Sequence, residues 1–255
     1  MRRVALFVKK LLCAKIDETF PPKRTGRPRG ASAEHVVDSL YYLIRSGCQW
    51  RMLPNTKIHW TNILRFVHKC VNANIFDDVY KKVVMLYKRR HPAKFYAIDS
   101  TMVKNAFGRS CTGRNPTDRG RQGSKVSVVV DHHGVVYSLV MTGANHSDTK
   151  LLETTLSASC LPLQTKLPLY ADKGYDSKAN RCVCQKHSLF DRISRRKYRT
   201  SRTSIRCKRI IVENTFSWID KYRRLLLQYE VCPRVHCAYT QMALLDVYCC
   251  RFSFE

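Results

Sequence analysis

Near Pro92 the hydrophobic period of the chain changes from helical to strand-like, and that change rules out a fold of helices alone or strands alone. Before it, Ser32 can cap a helix whose first turn holds Glu34. The apolar residues Val36, Leu40, Leu43 and Ile44 carry that helix to a stop at Gly47. After a turn at Pro54 and Asn55, two further groups repeat at helical spacing: Trp60, Ile63, Leu64, Val67 with Cys70 or Val71, then Phe76, Val79, Val83, Val84 and Leu86. Ahead of these helices, residues 21–30 are rich in Pro, Gly and Arg and predict an extended basic arm, while 1–10 predict a basic, weakly helical lead-in.

Beyond Pro92 the pattern predicts a strand over 94–99 that ends in Asp99. Strands over 125–130 and 135–142 form a hairpin around the turn Asp131-His132-His133-Gly134, and the apolar run Leu169-Tyr170-Ala171 ends in Asp172. Helices are expected over 148–158, 176–186 and about 207–226, with one more strand around 189–193. That order predicts an α/β fold, a mixed sheet flanked by helices, preceded by a small all-helical N-terminal domain. The 255 residues accommodate both, divided as 1–91 and 92–255. The three N-terminal helices suit a helix-turn-helix module or a plain helical subdomain equally well. No internal repeat is evident.

Charge narrows the partner. The 46 Lys and Arg against 19 Asp and Glu leave +27, more than solubility requires, and a field of that sign concentrates polyanions. Nucleic acid is therefore the expected partner. A membrane is not, because apolar runs such as 4–8 and 83–87 fall far short of the ~20 residues needed to span one. The N-terminus resembles a signal peptide for a few residues and is then broken by Lys9 and Lys10. Without a secretion signal, the 12 scattered cysteines read as reduced thiols in an intracellular compartment with access to DNA: cytoplasm and nucleoid, or the nucleus of a eukaryotic host. A zinc site built from Cys182, Cys184, His187, Cys232, His236 and Cys237 is the alternative, although no Cys-x-x-Cys pair occurs.

In so basic a chain, an acid at the end of each of two apolar strands calls for an explanation. Ligands bind off strand ends in open α/β sheets, and neighbouring carboxylates repel unless a cation lies between them. A hard divalent ion, Mg²⁺ or Mn²⁺, suits Asp99 and Asp172. Glu213 supplies a third acid, because it interrupts an otherwise apolar helical face of Ile210, Phe216 and Trp218. Each acid also has an ordinary alternative as a cap or turn former. Asp131, Asp148 and Asp176 compete with them, the first in the hairpin turn and the others opening helices.

A family likeness runs through the same residues. Gly26-Arg27-Pro28-Arg29 and the segment from Ser46 to Pro54 begin it; Ile98-Asp99-Ser100-Thr101, Asn115 to Gly120, Gly143-Ala144-Asn145 with Asp148, and Ala171 to Ser177 continue it; Val212 to Trp218 and Tyr222 to Leu225 close it. In these segments the chain resembles the DDE transposases of bacterial insertion sequences, in the group numbered five, related to group four and to the Harbinger elements. The resemblance implies a ribonuclease-H-like catalytic domain over 92–255 that cleaves DNA and transfers strands with two Mg²⁺ or Mn²⁺ ions. It assigns Asp99, Asp172 and Glu213 as catalytic and metal-binding residues. The implied partners are double-stranded DNA, both the terminal repeats of a mobile element and its target, and further copies of the chain assembled on DNA.

Ten cations are the candidates for DNA contact: Arg27 and Arg29 in the arm, Arg119, Arg121 and Lys125 around the first loop, and Arg206, Arg209, Lys221, Arg223 and Arg224 around the last helix. The family's final motif is Tyr, two residues, Arg, three residues, Glu, six residues, Lys. Arg209 and Glu213 stand in place, but Arg206 occupies the Tyr position and Asp220 the Lys position, with Lys221 next. One turn before Glu213, Arg209 suits either a two-pronged grip on phosphate or an intrahelical pair with Glu213. Two rival functions stand beside transposition: a transposase-derived DNA-binding protein, and a ribonuclease-H-fold nuclease that cuts without joining.

Overall fold

The computed structural model describes residues 3–22, 30–54, 58–105, 107, 110–195 and 202–252. Side chains are described from residue 6 in the first helix and from residue 207 in the seventh. Helices α1 (Arg3–Thr19), α2 (Ala33–Ser46), α3 (Trp60–Asn72) and α4 (Ile75–Arg90) come first. Then follow β1 (Tyr96–Lys104), β2 (Gly113–Arg114), β3 (Gln122–Asp131), β4 (Val136–Gly143), α5 (Asp148–Ser157), β5 (Pro168–Ala171), α6 (Lys178–Lys186), β6 (Phe190–Ile193), α7 (Arg202–Ile219) and α8 (Pro233–Arg251). No helix among the described residues is long and apolar enough to cross a membrane.

By their internal contacts the residues form two compact units. One comprises Met1–Leu86, Ile219–Leu226 and Arg234–Glu255, and the other Tyr87–Trp218 and Leu227–Pro233. The helix α8 therefore belongs with α1–α3 and most of α4, whereas the sequence grouped everything after residue 91 together. Within this helical unit the α2 boundaries follow their signals. The Ser32 hydroxyl accepts from the His35 N–H, and Gly47, in the left-handed region at φ 70°, donates its N–H to Leu43 O. The lead-in is a regular helix: Val8, Leu12 and Ile16 form a fully buried stripe, and the buried Lys9 reaches Glu34 at 2.7 Å and Asp38 at 2.8 Å on α2. The helix α8, absent from the sequence reading, opens on a proline at its first position and is buried on nearly every side, including Val235, Tyr239, Met242 and Leu245. A helix apolar all round gives no stripe to detect.

The second unit is built on one six-stranded sheet in the order β2-β3-β1-β5-β6, with β4 continuing the outer edge of β3 beside β2. The strand β1 runs antiparallel to β3 and parallel to β5, which runs parallel to β6, so the sheet is mixed and ribonuclease-H-like, as the sequence predicts. From Gly123 to Asp131 every residue of β3 is buried, as befits a central strand covered on both faces. The hairpin turns at Asp131: its Oδ1 accepts from the N–H groups of His133 and Val135, which gives this acid the structural role of a turn former.

Gly134 closes that turn at φ +85°, a region that L side chains rarely adopt. It also lies directly beneath α7. The Thr215 hydroxyl donates to Gly134 O at 3.2 Å, and a Cβ on Gly134 would stand 2.7 Å from both Thr215 Oγ1 and Trp218 Cη2. Gly134→Ala is therefore expected to lift α7 from the hairpin and to destabilise the protein by about 1–3 kcal/mol. Chemical denaturation checks the loss, and an unchanged midpoint would show that α7 is seated by other contacts.

Candidate active site

The pairing register brings Asp99 and Asp172 together. Tyr96 pairs with Leu169 and Ala97 with Tyr170 on parallel neighbours. Two residues further along each strand, Asp99 and Asp172 stand level and on the same face. The sequence placed Asp99 at a strand end. In fact β1 continues to Lys104, because β3 pairs with it as far as Lys104–Gly123, and only its β5 partner stops, at Ala171. Asp99 therefore lies where one edge of β1 loses its neighbour, and Asp172 immediately follows β5.

A guanidinium occupies the space between the two acids. From α7, Arg209 Nη2 donates to Asp99 Oδ2 at 2.6 Å and Nη1 reaches Asp172 Oδ1 at 3.3 Å. The side chains of Arg209, Asp99 and Asp172 retain 15%, 21% and 43% exposure, so the bridge is shielded but solvent reaches it from the Asp172 side. The ion pairs of Arg209 thus cross the sheet rather than follow the helix to Glu213. Its buried Nε has no acceptor among the described residues. Burial raises the Asp99 carboxyl above the usual carboxylate range; Arg209 and the Ser100 N–H oppose this, and Asp172 adds to it. Burial alone would lower the Arg209 pKa, but the charges of Asp99, Asp172 and Glu213 raise it.

Glu213 lies one turn beyond Arg209 and is exposed. Among the described residues, no group of three or more His, Cys, Asp or Glu side chains is placed to hold a metal. The three acids expected to cluster are therefore present as a bridged pair with the third at its margin. One guanidinium satisfies two of the three carboxylates.

A second layer, not foreseen from sequence, supports Asp99. The Ser100 N–H donates to Asp99 Oδ1 at 2.9 Å, and its hydroxyl donates to Asp148 Oδ1 at 2.6 Å. Lys125 Nζ donates to the same oxygen at 3.1 Å and to His146 O at 2.7 Å. Asp148 thus does more than open α5; it ties β1, β3 and α5 together beside the acids. Below them, burial and the charges of Asp148 and Asp99 raise the Tyr175 phenol. The signal for Asp148 was its place in the family-like segment, although the partners that fix its role are distant in sequence. Asp176 lies just outside α6, paired with Arg181 at 2.7 Å.

The cations expected to meet DNA divide by burial. Arg119 and Arg121 are exposed in the turn after β2, and Lys221 and Arg223 are exposed beyond α7. Lys125 and Arg224 are corrections. The first is buried with its ammonium committed to His146 and Asp148, and the second is buried with Nη1 donating to Cys48 O at 3.2 Å, so neither presents its charge at the surface. Arg27 and Arg29 lie outside the described residues, as does the side chain of Arg206.

Comparison with known proteins adds three findings. Residues 90–244 match the family described as the transposase DDE domain. Residues 12–80 match a transposase family of the IS4/5 kind. The chain is also similar to the protein assigned as transposase for insertion sequence element IS402 of Burkholderia cepacia, with 35% identity over 157 residues, 58% of this chain and 71% of that relative.

Proposed function

Because the chain belongs to the DDE transposases of the IS4/5 type, and is thus a DNA transposase, we propose that Asp99, Asp172 and Glu213 are the acids that cleave the ends of a mobile element and join them to target DNA. The carrying observation is the level pair Asp99–Asp172 with one cation held between its carboxylates. A pair that holds a guanidinium in this way fits a hard divalent cation equally well, and the family generally uses such ions. Asp99 and Asp172 would hold Mg²⁺ or Mn²⁺ directly, and Glu213 would complete the set for two ions. Bound there, the ions supply Lewis acidity toward the scissile phosphate and charge for the attacking and leaving oxygens.

The chain's own residues do the positioning. Ser100 fixes one oxygen of Asp99, and Asp148 with Lys125 fixes Ser100, so the carboxylate keeps its aim when its counter-charge changes. Arg209 Nε has no acceptor among the described residues, and the side chain stands beside the acids where a phosphate would lie, which suits it to grip a non-bridging oxygen as the strand enters. Arg119, Arg121, Lys221 and Arg223 present charge to the DNA backbone, and the N-terminal region up to residue 91, with the arm that holds Arg27 and Arg29, reads the terminal repeats. Copies of the chain assemble on the two ends, in a compartment where DNA is accessible and thiols stay reduced.

The test is to incubate the full-length protein and Mg²⁺ with a supercoiled plasmid carrying the element's terminal repeats, then to look for cleaved ends and joined products. Cleavage at the ends together with joining is expected. Cleavage without joining favours the nuclease alternative, and specific binding without cleavage favours the transposase-derived DNA-binding protein.

A further inference from the structure

We propose that the exposed aromatic pair Phe107 and Tyr229 forms a stacking platform for an unpaired DNA base, a site separate from the three acids. The two rings stack with centroids 6.3 Å apart and planes 26° apart, yet Phe107 is 63% exposed and Tyr229 36%. Two large flat side chains held against each other in water are not filling a core. They leave aromatic surface open to solvent.

Described residues that flank the rings in sequence are held by polar contacts. Asn105 is buried, and its Nδ2 lies 2.8, 3.0 and 2.9 Å from Thr112 Oγ1, Ser124 Oγ and Gln228 Oε1. Gln228 is fully buried; its backbone N–H donates to Lys104 O at 2.9 Å and its Nε2 to Glu230 O at 3.1 Å. Leu227 bridges to Lys104 in parallel fashion, and the Ser110 hydroxyl donates to Val231 O at 2.9 Å. A buried polar hub of this kind specifies one geometry, because any departure leaves desolvated polar groups without partners. It ties Lys104, Asn105, Ser110 and Thr112 to the segment 227–231; Phe107 lies among the former in sequence and Tyr229 within the latter.

Charge commits the platform to an occupant. Lys104 ends β1, Arg114 ends β2, and Arg119 and Arg121 lie in the turn that leads into β3; all four are exposed at this end of the sheet. The acids in the same segments are Asp118 and the buried Glu230. Exposed aromatic rings at a cationic end of the sheet match a nucleic acid strand, whose bases stack on the rings while its phosphates meet the cations. A paired duplex hides its base faces within its own stack, so only an unpaired base can use this surface. Asp99 and Lys104 are five residues apart on β1, ~17 Å of extended chain, so the platform lies off the end of the strand that carries the first acid. A strand frayed or freed near the site of cleavage is the ligand that this arrangement fits.

The inference rests on DNA being the substrate, and its test keeps the two readings apart. Fluorescein-labelled single strands of mixed sequence, and the same sequence as blunt duplex, are titrated into the full-length protein, with 2-aminopurine placed in the single strand to report stacking. Phe107→Ala and Tyr229→Ala are expected to weaken single-strand binding by about 10- to 100-fold and to abolish 2-aminopurine quenching, with duplex affinity nearly unchanged. Phe107→Leu, which keeps an apolar side chain but loses the flat ring, should also lose the quenching, and Phe107→Tyr should keep it. Equal losses on both DNA forms, or no loss on either, would overturn the platform. A variant that alters only self-association in sedimentation would overturn it in favour of a contact between copies of the chain. Cleavage of element ends is measured separately: quenching by a protein that cannot cleave would leave the platform standing and count against the transposase reading.

Discussion

Asp99→Asn, Asp172→Asn and Glu213→Gln are each expected to reduce cleavage and joining by ~10³-fold or more while binding of the terminal repeats survives. The geometry makes the first two expectations direct. Asp99 and Asp172 are level on adjacent parallel strands, and a carboxamide in either place keeps the shape but loses the charge that draws a cation in. For Glu213 the argument is indirect, since it lies exposed one turn from Arg209 and its charge acts on that guanidinium. The three variants therefore differ in a second readout. Without metal, Asp99→Asn removes a partner of Arg209 and should lower the melting temperature, whereas Glu213→Gln should leave it almost unchanged. Binding is measured by mobility shift and stability by thermal melting. Wild-type cleavage by any of the three, or full activity in EDTA, would refute the assignment.

The two acids were legible because strand periodicity and strand register share one rule. Alternation locates the strands, and two short parallel strands whose acids follow the last apolar residue must present those acids side by side when they pair. The end of β1 was not legible for a related reason. Asp99 reads as the close of its strand, with a cap or turn as its ordinary alternative, yet the antiparallel partner β3 holds Ser100 and Thr101 in the strand as far as Lys104. An acid after an apolar run marks a local end, and long-range pairing continued the strand past it. Much the same separates α2 from α8. The first advertises itself with a cap, a stripe and a terminal glycine; the second is buried on nearly every side, so its composition carries little period.

Arg209 marks the boundary of what sequence can reveal at the site. Its spacing from Glu213 offered a phosphate grip or an intrahelical pair, both of which are local relations. The contact that forms is with Asp99, 110 residues away, and no spacing rule within a helix can announce it. The supporting roles of Ser100, Asp148 and Lys125 were hidden in the same way, because they arise only where β1, β3 and α5 converge.

Replacing Arg209 separates its two duties. As the counter-charge of the acid pair it should stabilise the protein, and we propose that Nε, which has no acceptor among the described residues, serves the phosphate. Arg209→Lys keeps one positive charge but cannot span both carboxylates and still offer a forked grip, so cleavage should fall by ~10²-fold with the fold intact. Arg209→Gln removes the charge altogether. Asp99, its carboxyl already raised by burial and by Asp172, then faces Asp172 without a cation, and the metal-free protein should melt earlier than wild type. Added Mn²⁺ should restore most of that loss. It should also bind Arg209→Gln several-fold more tightly than wild type in calorimetry, because no internal guanidinium has to be displaced from between the acids. This last measurement decides the matter without reference to activity: equal Mn²⁺ affinity in the two proteins would mean that the guanidinium and the metal do not share a site. Arg209 would then be a structural brace between β1, β5 and α7, and the phosphate-gripping duty would pass to Arg206 or Lys221.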